Sequence, residues 1–123
     1  MGPGRRLARS GPAMDHLFDL AEKLWLPVRP ELTTGVTGKA FQEGQVKAVL
    51  TRVAPGGGFR QHTDAYAHVF YFLSGEGLLW VGEEQRAARA GLVARIEAGV
   101  PHAYRNTGPE DLLLVSLNLP SLD

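Results

Sequence analysis

Three of the four histidines in this 123-residue chain fall in two short stretches. GFRQHTDAYAHVFYFLSGEG, from Gly58 to Gly77, holds His62 and His68; GLVARIEAGVPHAYRN, from Gly91 to Asn106, holds His102. In an extended strand residues i and i+2 share a face, so His62 and Asp64 point inward together. His68 begins the next apolar run with Phe70 and Phe72 at the same parity, and His102 opens a later one with Tyr104. A fold that brings these strands together gathers three imidazoles and one carboxylate in an apolar, aromatic-lined cavity. That donor set suits a borderline divalent ion. The chain has no Cys, which excludes a disulfide framework, a thiolate metal site and a cysteine nucleophile, so metal chemistry must use His, Asp and Glu.

Further side chains are candidates for roles around such an ion. Tyr104, on the face of His102, has a hydroxyl able to orient a ligand or act as an acid. Arg60, two residues before His62 and expected on its face, can pair with an anionic substrate or with Asp64. Phe70, Phe72, Trp80 and Tyr104 are the expected pocket lining, although aromatic residues at strand spacing more often belong to a core. The plainer alternatives are barrel histidines held by hydrogen bonds, a His68 stacked on Phe70 or Tyr66, and an Asp64 that forms a turn. His16 lies outside both stretches and is expected at the surface. Gly56 to Gly58 lacks the Lys-Ser/Thr of a phosphate loop and leads into a strand, so it makes a turn. No G-x-S-x-G elbow is present.

The elements that must position these residues are mostly strands. DHLFDLAEKLWL (15–26) places Leu17, Leu20, Ala21 and Leu24 at helical spacing and predicts a short amphipathic helix, stopped by Pro27 and Pro30. After it come QVKAVLTRV (45–53), a turn over 54–58, FRQHTD (59–64), HVFYFLS (68–74), LLWVG (78–82), LVARIE (92–97), HAYRN (102–106) and LLLVSLNL (112–119). Gly and Pro punctuate them at Gly75, Gly77, Gly82, Gly91, Gly99, Pro101, Gly108 and Pro109. Strands recurring about every ten residues with such turns predict an all-β antiparallel barrel behind a short N-terminal helix.

A chain of this length makes one domain with a real core, and 44% hydrophobic with 21% charged residues is a globular balance. Nothing approaches the roughly 18–20 apolar residues of a membrane-spanning helix. The 13 basic and 13 acidic residues are unevenly placed: Arg5, Arg6 and Arg9 lie in the first 13 positions, leaving a mildly acidic body. That distribution argues against nucleic acid, which needs a clustered basic face. Residues 1–13 are expected to form a flexible extension, 14–123 a single domain, and the location is expected to be cytoplasmic.

The two histidine stretches resemble the paired motifs of the cupin superfamily. The first, G-x5-H-x-H-x3,4-E-x6-G, is approached with His62 as its first His, Asp64 in place of the second, His68 in place of the Glu, and Gly75 after six intervening residues. The second, G-x5-P-x-G-x2-H-x3-N, is met by Gly91, Gly99, His102 and Asn106, with Glu97 in place of Pro. HTDAYAHVFYFLSGEG is further similar to a single-domain subgroup with four histidine ligands, one of which is here Asp64. The resemblance spans about residues 45–119. It implies a small jelly-roll barrel, a homodimer, and one divalent ion per chain held by His62, Asp64, His68 and His102, with Asn106 structural. The carboxylate lowers the site's charge and favours Fe, Mn or Ni, with Zn or Cu as further options. The function implied is a metal-dependent enzyme of dioxygenase or isomerase type acting on a small polar or aromatic molecule. The alternatives are a non-catalytic cupin that binds or senses a small ligand, and a zinc site that only holds the barrel together.

Overall fold

The computed structural model describes residues 16–123, so the extension expected over residues 1–13 lies outside the described residues. Nine antiparallel strands build one curled sheet: β1 (Leu26–Pro27), β2 (Thr33–Gln42), β3 (Lys47–His62), β4 (Ala67–Ser74), β5 (Glu76–Val81), β6 (Glu84–Arg89), β7 (Val93–Ile96), β8 (His102–Asn106) and β9 (Leu112–Leu119). Their order is β6-β5-β8-β3-β9-β4-β7, with β2 on β3 and β1 on β2. This is the all-β antiparallel fold expected from the strand spacing, curled as the jelly-roll that the resemblance implies. Among the described residues no helix is long and apolar enough to cross a membrane.

The sixteen-residue β3 is the spine. Lys47 to Val53 pair with β9, Gly58 to His62 pair with β8, and β2 pairs along both parts. The turn expected over 54–58 is therefore no chain reversal: the strand runs on through it, with Gly56 at φ 80° absorbing the irregularity. Besides the two-residue β1, two strands escape the sequence patterns, β2 (TTGVTGKAFQ) and β6 (EQRAAR). Glycines and threonines dilute the alternation in the first, and the second buries only Ala88.

The expected helix over 15–26 is absent; only a single 3-10 turn, Leu20–Glu22, forms there. Twelve residues are marginal for a helix without a docking face, and the apolar stripe finds none: Leu17 and Leu24 are 86% and 77% exposed. The segment is captured in extended form instead. Leu26 and Pro27 pair with Gly38 and Thr37 of β2, and the Trp25 ring lies beneath the Arg52 guanidinium at 4.0 Å and the Lys39 ammonium at 4.8 Å. Lys39 also donates to the Leu20 carbonyl at 3.1 Å.

Strand parity sorts the interior into levels. Down β4 run His68, Phe70 and Phe72, and down β8 run His102, Tyr104 and Asn106, all buried. The histidines thus sit at one end of the barrel. Val53, Phe72, Leu112 and Leu114 form the fully buried centre, and Asn106 closes the other end. Its amide donates to the carbonyls of Val53 (2.9 Å) and Glu110 (2.7 Å) and accepts from Gly108 N–H (2.8 Å). Asn106→Ala should cost at least about 2 kcal/mol, because the buried Val53 carbonyl alone costs roughly 1–3 kcal/mol when left unpaired, while the Glu110 and Gly108 groups are only partly buried. A urea midpoint unchanged from the native chain would refute that anchoring role.

Candidate metal centre

The donors come from three strand ends and one loop. His62 ends β3, His102 begins β8 directly opposite it in register, and His68 lies near the start of β4 opposite Asn118 of β9. Asp64 sits in the loop joining β3 to β4, its carbonyl accepting the Gly99 N–H at 2.8 Å. A register shift between Phe59 and His62 inserts an extra residue on β3. It changes the strand's parity, so that Phe59 and His62, three apart, face the same cavity with their rings stacked at 4.5 Å.

The same shift corrects the expected facing of Arg60. Its side chain is exposed, outside the cavity, and its guanidinium donates to the Glu31 carbonyl. The partner of Asp64 is Arg29, whose Nη1 lies 2.7 Å from Oδ1. Two of the expected lining residues also lie elsewhere. Phe72 packs one level deeper, edge-on to Phe70 and Tyr104 with centroids 6.4 Å away. Trp80 alternates with buried Leu79, so its indole is on the opposite face of β5 and donates to Gln85 Oε1 at 3.0 Å. Phe70 and Tyr104 do line the cavity, which measures about 410 Å³ and is walled by Leu26, Val28, Val49 and Phe59 among others.

Each imidazole is oriented the same way. Nδ1 of His62 donates to the Arg60 carbonyl at 2.7 Å, Nδ1 of His102 to the Val100 carbonyl at 2.9 Å, and Nδ1 of His68 to Asn118 Oδ1 at 3.0 Å. In His102 a proton held on Nδ1 leaves a lone pair on Nε2, whereas Nε2 of His68 hydrogen-bonds Asp64 Oδ2, a contact that a bound ion would replace. All three Nε2 atoms face one carboxylate oxygen, Asp64 Oδ2, at 2.7 Å (His68), 3.1 Å (His62) and 3.6 Å (His102). Ligand atoms of His62, Asp64 and His102 lie within 4.8 Å of one another, and His68 joins this group through its contact with Asp64.

The electrostatics favour the ligand forms. Burial pushes the Asp64 carboxyl up, but hydrogen bonds from His68 and Arg29 and the nearby charges of His62 and Arg29 outweigh it and hold it below the ordinary carboxylate range. Burial, reinforced by the neighbouring imidazoles, lowers His102 and keeps it neutral. Burial alone raises Tyr104, which keeps its proton. His102 Nε2 is buried with no hydrogen-bond partner. Such an orphan costs about 1–3 kcal/mol, and a lone pair aimed at two other imidazoles and a carboxylate is what a divalent ion satisfies. The residues present therefore fit a metal ion.

Three participants escape the sequence patterns: Arg29, Phe59 and Asn118. Ser116 and Asn118, polar at period two in the otherwise apolar LLLVSLNL, are the available signal for Asn118, since both line the cavity. Arg29, isolated before Pro30 in a loop, has none.

A family model described as a Cupin domain matches residues 49–118. No curated protein matches the chain. Solved structures do. A predicted oxalate decarboxylase from Thermotoga maritima is 18% identical over 85% of this chain and 98% of its own, with a TM-score of 0.77. The polyketide cyclase RemF from Streptomyces resistomycificus is 16% identical over 85% and 79%, also with a TM-score of 0.77. The protein TT1209 from Thermus thermophilus is 26% identical over 85% and 96%, with a TM-score of 0.67.

Proposed function

Since the chain belongs to the cupin family, we propose that it is a metal-dependent enzyme whose barrel binds a small polar or aromatic molecule beside one divalent ion held by His62, Asp64, His68 and His102. One observation carries this: three imidazoles, each with Nδ1 on an oxygen acceptor, turn Nε2 toward a single carboxylate oxygen at the end of a 410 Å³ cavity. A bound ion supplies Lewis acidity toward a substrate oxygen. The mixed nitrogen and oxygen donors favour Fe, Mn or Ni.

The surrounding residues have separate tasks. Phe59 and Phe70 exclude water beside the imidazoles, Leu26, Val28 and Val49 receive the apolar body of the ligand, and Tyr104, protonated at neutral pH, orients a ligand oxygen by donating to it. The fold does not choose the reaction, since its neighbours bear names as different as decarboxylase and cyclase. Dioxygenase-type or isomerase-type chemistry is the class proposed. Association into a homodimer is part of the proposal, supported by the exposed Tyr71–Val93 pair beside the unpaired edge of β7.

The test is elemental analysis of the purified chain followed by an oxygen-uptake and proton-exchange screen of small oxygen-bearing aromatics and acids. About one Fe, Mn, Ni or Cu per chain, with turnover of any compound, is the expected result. Absence of metal even after reconstitution would overturn the proposal. Tight ligand binding with full metal and no turnover would make the barrel a sensor instead.

A further inference from the structure

Asp64 is a loop residue, and a carboxylate on a loop has two equivalent oxygens and a freely turning plane. Here the two oxygens are not equivalent. Oδ2 faces the three imidazole Nε2 atoms, while Oδ1 accepts from Arg29 Nη1 at 2.7 Å, in a carboxylate only 5% exposed. We propose that Arg29 is the positioning residue of the metal centre, gripping Asp64 Oδ1 so that the carboxylate offers a single oxygen to the ion. The inference rests on the metal-binding function proposed above and adds to it the outer residue that sets how Asp64 binds.

The backbone of Arg29 points the same way. Its φ of 41° is the only positive φ among the described non-glycine residues, a conformation that favours glycine over any residue with a Cβ. The surroundings hold it there. Leu32 N–H closes a turn on the Arg29 carbonyl at 2.8 Å with Pro30 inside it, and Thr33 Oγ1 donates to the carbonyls of Val28 (2.7 Å) and Arg29 (3.2 Å). The turn aims the side chain across the cavity rim, past the Phe59 ring at 5.9 Å, onto a carboxylate 35 residues further along the chain. A glycine would suit this backbone better; an arginine is there for what its guanidinium reaches.

This makes position 29 testable without confounding fold and site. Arg29→Gly removes the grip while easing the backbone, and Arg29→Lys keeps a shorter, single-point donor. Co(II) alone is the probe, titrated by calorimetry and by its visible absorption, with circular-dichroism melts of each metal-free variant. Loss of an outer-shell partner weakens metal binding by roughly 10–100-fold. Arg29→Gly is therefore expected to bind Co(II) at least about tenfold more weakly with an altered spectrum, Arg29→Lys to recover part of both, and the metal-free melts to stay unchanged. In an Asp64→Ala background Arg29→Gly should have no further effect, because the grip has nothing left to hold. Unchanged or tighter Co(II) binding by Arg29→Gly, or the same loss with Asp64 already gone, would overturn the proposal. A native chain that binds no Co(II) would instead overturn the metal centre itself.

Discussion

The His102→Ala variant is expected to gain nothing from a divalent ion that raises the melting point of the native chain by roughly 10 °C. An ion present at about 100 times its dissociation constant stabilises the folded state by about 2.7 kcal/mol, and a chain of this size gains roughly 4 °C for each. His102 is the most deeply buried of the three imidazoles, at 2% exposure, and its Nε2 is the donor without any other partner. Removing it should weaken the site beyond the roughly 10–100-fold that an outer-shell loss costs. The metal-free melts should differ much less. Alanine forfeits packing and the Nδ1 bond to Val100, but it also abolishes a buried, unpaired nitrogen. Scanning calorimetry with and without metal reads both quantities. Equal metal-induced shifts in the two proteins would show that His102 is a barrel histidine and no ligand.

Phe72→Ala should act in the opposite sense, on the fold first. Phe72 is fully buried where β4 faces β9, beside Leu114 in register and edge-on to Phe70 and Tyr104. Truncating a buried phenylalanine costs about 3–5 kcal/mol in lost transfer energy and residual cavity. Set against a typical total of about 5–15 kcal/mol, that lowers the melting point by roughly 12–20 °C. Because the level above holds Phe70 and Tyr104, the cavity floor should loosen as well. Urea unfolding checks the figure, and a midpoint shift equivalent to less than about 1 kcal/mol would mean that the barrel centre collapses around the gap.

Much of this architecture is legible because its decisive residues obey a period of two. HAYRN and LLLVSLNL coincide with β8 and β9, and the parity of His68 with Phe70 and of His102 with Tyr104 describes their shared faces. The four donors can be singled out because imidazoles and a carboxylate are conspicuous in apolar runs. What escapes depends on tertiary contacts that leave no local trace. The helical spacing of Leu17, Leu20 and Leu24 is real, but the contacts of Trp25 with Arg52 and Lys39, and β1 against β2, hold the segment in extended form. Trp80 reads as an interior aromatic until the pairing of β5 puts Leu79 inside. Arg29 meets Asp64 across 35 residues from a conformation arginines rarely adopt, which no pattern of side-chain types announces.

The bulge between Phe59 and His62 separates two kinds of information in this chain. The barrel is written as alternation, and strands tolerate many spellings of it. The site is written as an exception to it. Three regular steps from Phe59 would turn the His62 imidazole to solvent, and only the residue set aside by the bulge brings it back beside Phe59 and opposite His102. The place of that irregularity, and not the identity of any side chain, therefore decides whether the imidazoles meet. A substitution far from every donor can dissolve the constellation simply by letting β3 run straight.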